Sequence, residues 1–225
     1  MSPRALRLPA LCLALATCDG PCVLDYEPIA AACGDGTLDD GEECDDGNAV
    51  DDDDCSAECF RPRLVFATAG TFDGALGSLQ GADDRCAAAA AAAGLDGPDT
   101  QWLAWLGDGA IWPETRFDAH FAGWYRLPDG TDIARGWADL TDGALLHAID
   151  QNPHGDPITG EPRYAWTNVG QKGDAVDTLH CAGWTSNDIA LKGRVGSLDA
   201  TNRGWTQDGA LITCDTPNRL LCVEQ

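Results

Sequence analysis

Apolar positions recur at helical spacing most clearly between residues 78 and 98. Leu79, Ala82, Cys86, Ala90 and Ala93 fall on one side of that stretch, which predicts a helix whose small-residue face lies against a sheet, with Cys86 at its middle. Seven alanines follow Cys86, and alanine is the best helix former. The pattern puts Asp83 and Asp84 in the first turn, where the macrodipole favours anions, has Gly94 supply the left-handed residue past the end, and lets Pro98 forbid continuation. The other apolar runs are short. Leu64 to Thr68 reads as a strand, and Trp102 to Leu106 as a buried one. Trp124 to Ala134 carries Asp129-Gly130 between apolar-containing arms, a hairpin signal. Further strands are expected at Tyr164 to Thr167, near Val195, and at Leu220 to Val223. From about 140 to 215 the chain is rich in Gly, Asp and Asn with little periodicity, and long loops on a compact scaffold are where binding tends to reside. The resulting fold class is α+β: a mixed antiparallel sheet, one alanine-rich helix and long loops.

Composition bounds this picture. At 225 residues with 8 Trp, the chain supports one sizeable core plus a small module. Its 37 acidic and 14 basic residues give a formal charge of -23 and a pI near 4.1, so nucleic acid, heparin-like polyanions and anionic membrane surfaces are repelled. Cationic or neutral partners and bound cations stay open.

The 11 cysteines require a compartment. Arg4 and Arg7 precede the apolar run Leu8 to Ala16, which suits a signal peptide and is too short to span a bilayer. Export and disulfide bonding follow. Two processing routes compete. Ala14-Leu15-Ala16 is a small-x-small cleavage site, whereas Leu15-Ala16-Thr17-Cys18 resembles a bacterial lipoprotein box with Thr where Gly, Ala or Ser is usual. Losing Cys12 with the signal leaves ten cysteines if Cys18 stays a thiol, while lipidation of Cys18 leaves nine and strands one, with Cys22 the candidate. The lipid at Cys18 is the one membrane contact this reading allows. The expected organisation is a signal peptide over 1–17, a tether over 18–32, an acidic cysteine-rich module over 33–60 and a globular domain over 61–225, on the outer surface or in the extracellular space.

Residues 33 to 59 hold twelve carboxylates and no Lys or Arg. So small a segment cannot build a core and relies on disulfides or metal. Cys33-Gly-Asp-Gly, then Gly-Glu-Glu-Cys44-Asp-Asp-Gly-Asn, then Asp-Cys55-Ser-Ala-Glu-Cys59 resembles the cysteine-rich repeat common in secreted myxobacterial proteins. Asp53 departs from it, standing where that repeat usually has Gly. Cys33, Cys44, Cys55 and Cys59 are expected in disulfides of open pairing. Asp35, Asp45, Asp46, Asn48 and Asp54 are hard oxygen donors of the type calcium takes, though no EF-hand spacing is present. The competing reading is a solvated spacer whose Asp-Gly and Gly-Asn pairs make turns.

The globular part has four cysteines, Cys86, Cys181, Cys214 and Cys222, which allow three pairings. Gly81-Ala82-Asp83 with Cys86, Ala93-Gly94-Leu95, Trp105-Leu106, Ala165-Trp166-Thr167, Cys181 with Trp184, and Cys214 with Leu220-Leu221-Cys222-Val223-Glu224 resemble the endostatin domain of collagens. They are closer still to the bacterial endostatin-like family of leptospiral and myxobacterial surface proteins. The resemblance runs from about Leu64 to Gln225. It implies a C-type-lectin-like fold and nested disulfides, Cys86 with Cys222 and Cys181 with Cys214, each worth roughly 4 to 5 kcal/mol on the loop-entropy model. The calcium and sugar ligands of sugar-binding members do not carry over. Glu161-Pro162-Arg163 places a cation where an oxygen ligand belongs, and Trp205-Thr206-Gln207-Asp208 lacks the Asn of the corresponding strand. Heparin binding does not transfer to residues 60–225, with 22 acids and 12 bases. Nor does zinc, since His120, His147, His154 and His180 show no ligand spacing.

No Gly-x-Ser-x-Gly, His-Glu-x-x-His or phosphate loop is present, and the cysteines have structural partners, so the chain reads as non-catalytic. The expected function is an exported binding or adhesion module for a protein or polymer, with glycan recognition as the alternative. Trp112, Trp124, Tyr125, Trp184, Asn187 and Asp188 are the candidate contact residues, because aromatics beside polar groups suit sugar faces and protein hot spots. Each Trp competes with a plain core role.

Overall fold

The computed structural model describes residues 33–51, 53, 55–97 and 100–225. The expected signal peptide, the tether, the Cys18 anchor, Cys22, Asp54 and Pro98 lie outside the described residues. Eight strands make one curled mixed sheet: β1 (Arg63–Ala67), β2 (Trp102–Ala104), β3 (Trp124–Arg126), β4 (Asp132–Arg135), β5 (Tyr164–Trp166), β6 (Lys192–Ser197), β7 (Leu211–Thr213) and β8 (Arg219–Glu224). Their order is β4-β3-β1-β8-β5-β6-β7, with β2 also paired to β8. The pairs β1/β3 and β5/β8 are parallel and the rest antiparallel. The central strands β1 and β8 are buried on both faces, and the period-2 alternation sorts their side chains into two cores. Val65, Ala67, Leu221 and Val223 face Trp105, Tyr125 and Trp205. Phe66, Leu220 and Cys222 face the long helix, Trp166 and Trp184.

That helix, α1 (Ser78–Ala93), buries Leu79, Ala82, Cys86 and Ala90 as the spacing predicts. Small side chains let its backbone approach β2 and β8, where Cys86 bonds Cys222 with Cα atoms 5.4 Å apart. Gly94 closes it at φ 74°, and the Leu95 N–H returns to the Ala90 carbonyl at 3.0 Å. The acidic pair corrects the sequence reading. The helix begins at Ser78, so Asp83 and Asp84 sit beyond the first turn. Asp83 points inward, takes the Ala104 N–H at 2.9 Å and pairs with Arg116 at 2.5 Å. Burial pushes its carboxyl above the ordinary range, although Arg116 and the Ala104 amide favour its ionised form. Asp83 therefore ties α1 to β2 instead of serving the helix dipole.

Leu127 to Thr131 makes the hairpin turn between β3 and β4. The strands expected at 64–68, 102–106, 164–167, near 195 and at 220–223 are all present, with shifts of one or two residues at their ends. The elements that escaped the pattern are all short: β7, only three residues long, the helix α2 (Gly136–Leu140) after β4, and the single turns at Pro113–Thr115, Cys181–Trp184 and Arg203–Trp205. The domain disulfides nest, Cys86–Cys222 around Cys181–Cys214. In the acidic segment Cys33 bonds Cys59 and Cys44 bonds Cys55, also nested.

Candidate functional site

The loop 185–191 is projected from a turn of unusual hand. Cys181, Ala182, Gly183 and Trp184 have φ of 50, 55, 68 and 61°, one turn of left-handed helix in which three of four residues carry a Cβ. L-residues pay about 1–2 kcal/mol each for that hand, so strong neighbours must hold it. Cys181 is bonded to Cys214 at the end of β7. The Trp184 indole donates to the Gly107 carbonyl at 2.8 Å, its ring packs on Trp166, and the Trp184 carbonyl takes the Gly77 N–H at 2.9 Å, just before α1. Within the turn, Trp184 N–H returns to the His180 carbonyl and the Gly183 N–H donates to His180 Nδ1 at 2.7 Å.

Beyond this base the chain is exposed from Asn187 to Leu191. Asn187 donates to Asp73 at 3.0 Å, and Asp188 accepts the Ala190 N–H at 2.9 Å, so both polar side chains shape the loop. Between and beside them stand apolar side chains in water: Ile189 is 67% exposed, Leu191 38%, and Leu211 on the edge strand β7 40%. The sequence reading passed over these three. Their signal is Ile189-Ala190-Leu191, an apolar run inside a polar loop.

The six candidate contact residues do not gather into one site. Asn187 and Asp188 share the exposed loop. Trp184 and Tyr125 are fully buried, which removes both from any contact surface. Burial raises the Tyr125 phenol well above its ordinary range. Trp112 is half-buried beside the turn at Pro113–Thr115. Trp124 is half-buried, and its indole donates to the Asp51 carbonyl of the acidic segment.

That contact belongs to a seam between the cysteine-rich segment and the sheet, within a single compact unit spanning Ala32–Gln225. Arg126 donates to the Asp53 carbonyl at 3.2 Å, Arg135 pairs with Asp51 at 2.7 Å and Glu58 at 3.4 Å, and Arg63, itself buried, reaches Glu43 at 3.4 Å. Phe60 stacks edge-on against Phe121 with centroids 5.4 Å apart. The acidic segment is thus seated on β3 and β4, and its charges answer arginines of the sheet.

Of the groups expected to hold calcium, Asp35, Asp45, Asp46 and Asn48 are described, and each accepts backbone N–H groups. Asp45 accepts four backbone N–H groups, from Gly34 and Asp35 on one oxygen and from Gly36 and Gly47 on the other, at 2.8–3.2 Å. Burial opposes its ionisation, yet these amides outweigh it and hold the carboxyl below its ordinary value. Asp35, Asp46 and Asn48 each cap a local turn, receiving the N–H of Thr37, Asn48 and Val50. Among the His, Cys, Asp and Glu side chains of the described residues, only Glu42, Asp45 and Cys59 bring three ligand atoms together, and Cys59 is in a disulfide. A carboxylate whose four lone-pair sites face amides has none for a cation, so Asp45 does not fit a calcium ligand.

The chain matches no protein-family model and no curated protein. The described residues form a disulfide-braced α+β protein with a curled mixed sheet, and among them are few helices and four disulfides. Such bonds persist in oxidising compartments. Among the described residues no helix is long and apolar enough to cross a membrane.

Proposed function

We propose that the chain is an exported, non-catalytic binding module with a C-type-lectin-like, endostatin-like domain, which recognises a protein or polymer partner through the loop 185–191 and the adjoining β6–β7 edge. The observation that carries this reading is the pairing of a left-handed base with an apolar tip. Backbone held in a costly conformation clusters at recognition sites because it pre-organises what it presents. Here it presents Ile189 at 67% exposure. The acidic segment is part of the same module, and the surface charge directs it to neutral or cationic partners. Export, with or without lipid at Cys18, supplies the oxidising compartment in which the disulfides of the described residues form.

The test is retention of a partner from the extracellular material of the producing cells on the immobilised full chain, compared with Ile189→Asp. A charge at the centre of a buried apolar contact removes about 2 kcal/mol or more, so retention should fall by at least about tenfold. Equal retention by both proteins would exclude this loop as the contact.

A further inference from the structure

The sheet ends on two unlike edges, β4 and β7. On β4 the outward Ile133 carbonyl takes the Leu146 N–H at 2.9 Å, and the strand begins and ends on charge, at Asp132 and Arg135. Charge and a covering segment are the devices by which sheets blunt their edges. Strand β7, Leu211-Ile212-Thr213, holds no charge and no proline, and among the described residues no further strand pairs with its outer side.

Which backbone groups of β7 face outward follows from its pairing with β6. Arg194 stands opposite Leu211, yet its N–H goes to the Leu179 carbonyl at 3.0 Å and its carbonyl takes the Thr167 N–H at 3.1 Å, both away from β7. Antiparallel partners alternate between bonded and non-bonded pairs, so Ile212 bonds β6 through Gly193 while Leu211 and Thr213 turn their N–H and carbonyl groups outward. The Cys214 N–H, returning to the Leu191 carbonyl at 3.0 Å, keeps that alternation. The Thr216 N–H occupies the Thr213 carbonyl at 3.0 Å. That leaves the Leu211 N–H, the Leu211 carbonyl and the Thr213 N–H without a partner among the described residues.

Charge decides what can join this edge. Residues 185–191 and 207–216 carry Asp188, Asp208 and Asp215 and no Lys or Arg. On β6 stand Lys192 and Arg194, and Arg194 is held by Asp177 at 2.7 Å. With a formal charge of -23 on the whole chain, a second copy is repelled from the edge and a basic segment is drawn to it. Leu211, 40% exposed, offers an apolar contact on one face, where every second side chain of an added strand falls.

We propose that β7 accepts an extended, basic segment of a polypeptide partner as a further strand, its main chain pairing with Leu211 and Thr213 and an apolar side chain lying against Leu211. This partner chemistry rests on the reading of the 185–191 loop and β6–β7 edge as the recognition face. It narrows the partner to a polypeptide in which Lys or Arg alternates with apolar residues. In strand addition the main-chain bonds supply affinity and the alternate side chains supply selectivity.

The experiment titrates the full chain with an acetylated, amidated Lys-Val-Lys-Val-Lys-Val peptide and follows the backbone amides by NMR. The Leu211 and Thr213 amides should shift saturably and, at saturation, exchange with solvent at least about tenfold more slowly. Thr213→Pro removes one outward donor where an edge strand tolerates proline, and should weaken binding by about tenfold with the indole resonances unchanged. Leu211→Pro is the second variant if Thr213→Pro disturbs the neighbouring Cys214. The same peptide with Glu in place of Lys should bind at least about tenfold more weakly. The proposal is overturned if the Lys-Val peptide leaves both amides unmoved, if both proline variants bind it as the parent does, or if the Glu peptide binds equally. It is overturned too if sedimentation shows the peptide-free chain to be a dimer that Thr213→Pro makes monomeric, since the edge then belongs to a second copy. Partner retention unchanged by Ile189→Asp is a separate failure, that of the loop, and leaves these outcomes as they stand.

Discussion

Exchanging the residue types of the left-handed turn should move stability in the direction opposite to ordinary helix behaviour. Ala182 sits at φ 55° and ψ 51° with its side chain exposed, so Ala182→Gly forfeits no buried surface. The substitution releases about 1–2 kcal/mol of conformational cost. Glycine returns about 0.4–1 kcal/mol of that through its freer unfolded state. The net is a stabilisation of about 0.5–1 kcal/mol, which for a domain of this size raises Tm by about 1–4 °C. The reciprocal change is equally clean. A Cβ added at Gly183, φ 68°, meets nothing within 4 Å, so Gly183→Ala is destabilising by a similar amount through conformation alone. Both are read by calorimetry and by urea denaturation under oxidising conditions. In a right-handed helix Ala→Gly instead costs about 0.5–1 kcal/mol. A loss of that size for Ala182→Gly, or no loss for Gly183→Ala, would refute the left-handed geometry and with it the pre-organisation of the loop.

Three other outcomes test the scaffold. Replacing Cys86 and Cys222 together by Ser removes a bridge of 136-residue separation and should cost about 5 kcal/mol on the loop-entropy model, seen as a large fall in the urea midpoint; an unchanged midpoint would deny the bridge its bracing role. Asp45 has a carboxyl depressed below its usual 3.8, so the order it imposes is fully present above that value and is lost as pH falls through the lower folded value; the amide resonances of Gly34, Gly36 and Gly47 should collapse together there, and independent titrations would contradict the shared-acceptor geometry. Trp124→Ala should unseat the acidic segment, speeding limited proteolysis between residues 45 and 53 while far-UV circular dichroism of the sheet is preserved. Equal proteolysis rates would mean that the seam does not depend on this contact.

The sheet was legible because its central strands are apolar on both faces and bounded by turn residues. Leu64 to Thr68 and Leu220 to Val223 announce themselves in that way, and the alanine helix does so through one periodic face. β7 was not legible, since Leu211-Ile212-Thr213 is too short to show a period and is fixed by its pairing with β6. The turn at 181–184 was hidden for a different reason. His180-Cys181-Ala182-Gly183-Trp184 holds a single glycine, and its hand is imposed by the Cys181–Cys214 bond and the buried Trp184, both long-range. Aromatic residues were poor guides to the contact surface. Tyr125 and Trp184 went to the two cores, and Trp124 to the seam. Asp83 misled similarly, because an acidic residue near a helix start can equally be a buried tie whose partner, Arg116, lies 33 residues away. What the sequence marked as a charged spacer is a segment seated on the sheet, since its acidic groups meet arginines that only folding brings near.

The central claim is that the loop 185–191 is the recognition face. The most direct measurement places a photo-crosslinking amino acid at position 189 of the full chain, with a second protein labelled at exposed Ala87 on α1, and irradiates each in the extracellular material of the producing cells. Position 189 should yield one discrete adduct, lost with Gly183→Val, and position 87 none. Adducts of equal yield from both positions, or none from position 189 while the immobilised chain still retains its partner, would contradict the account.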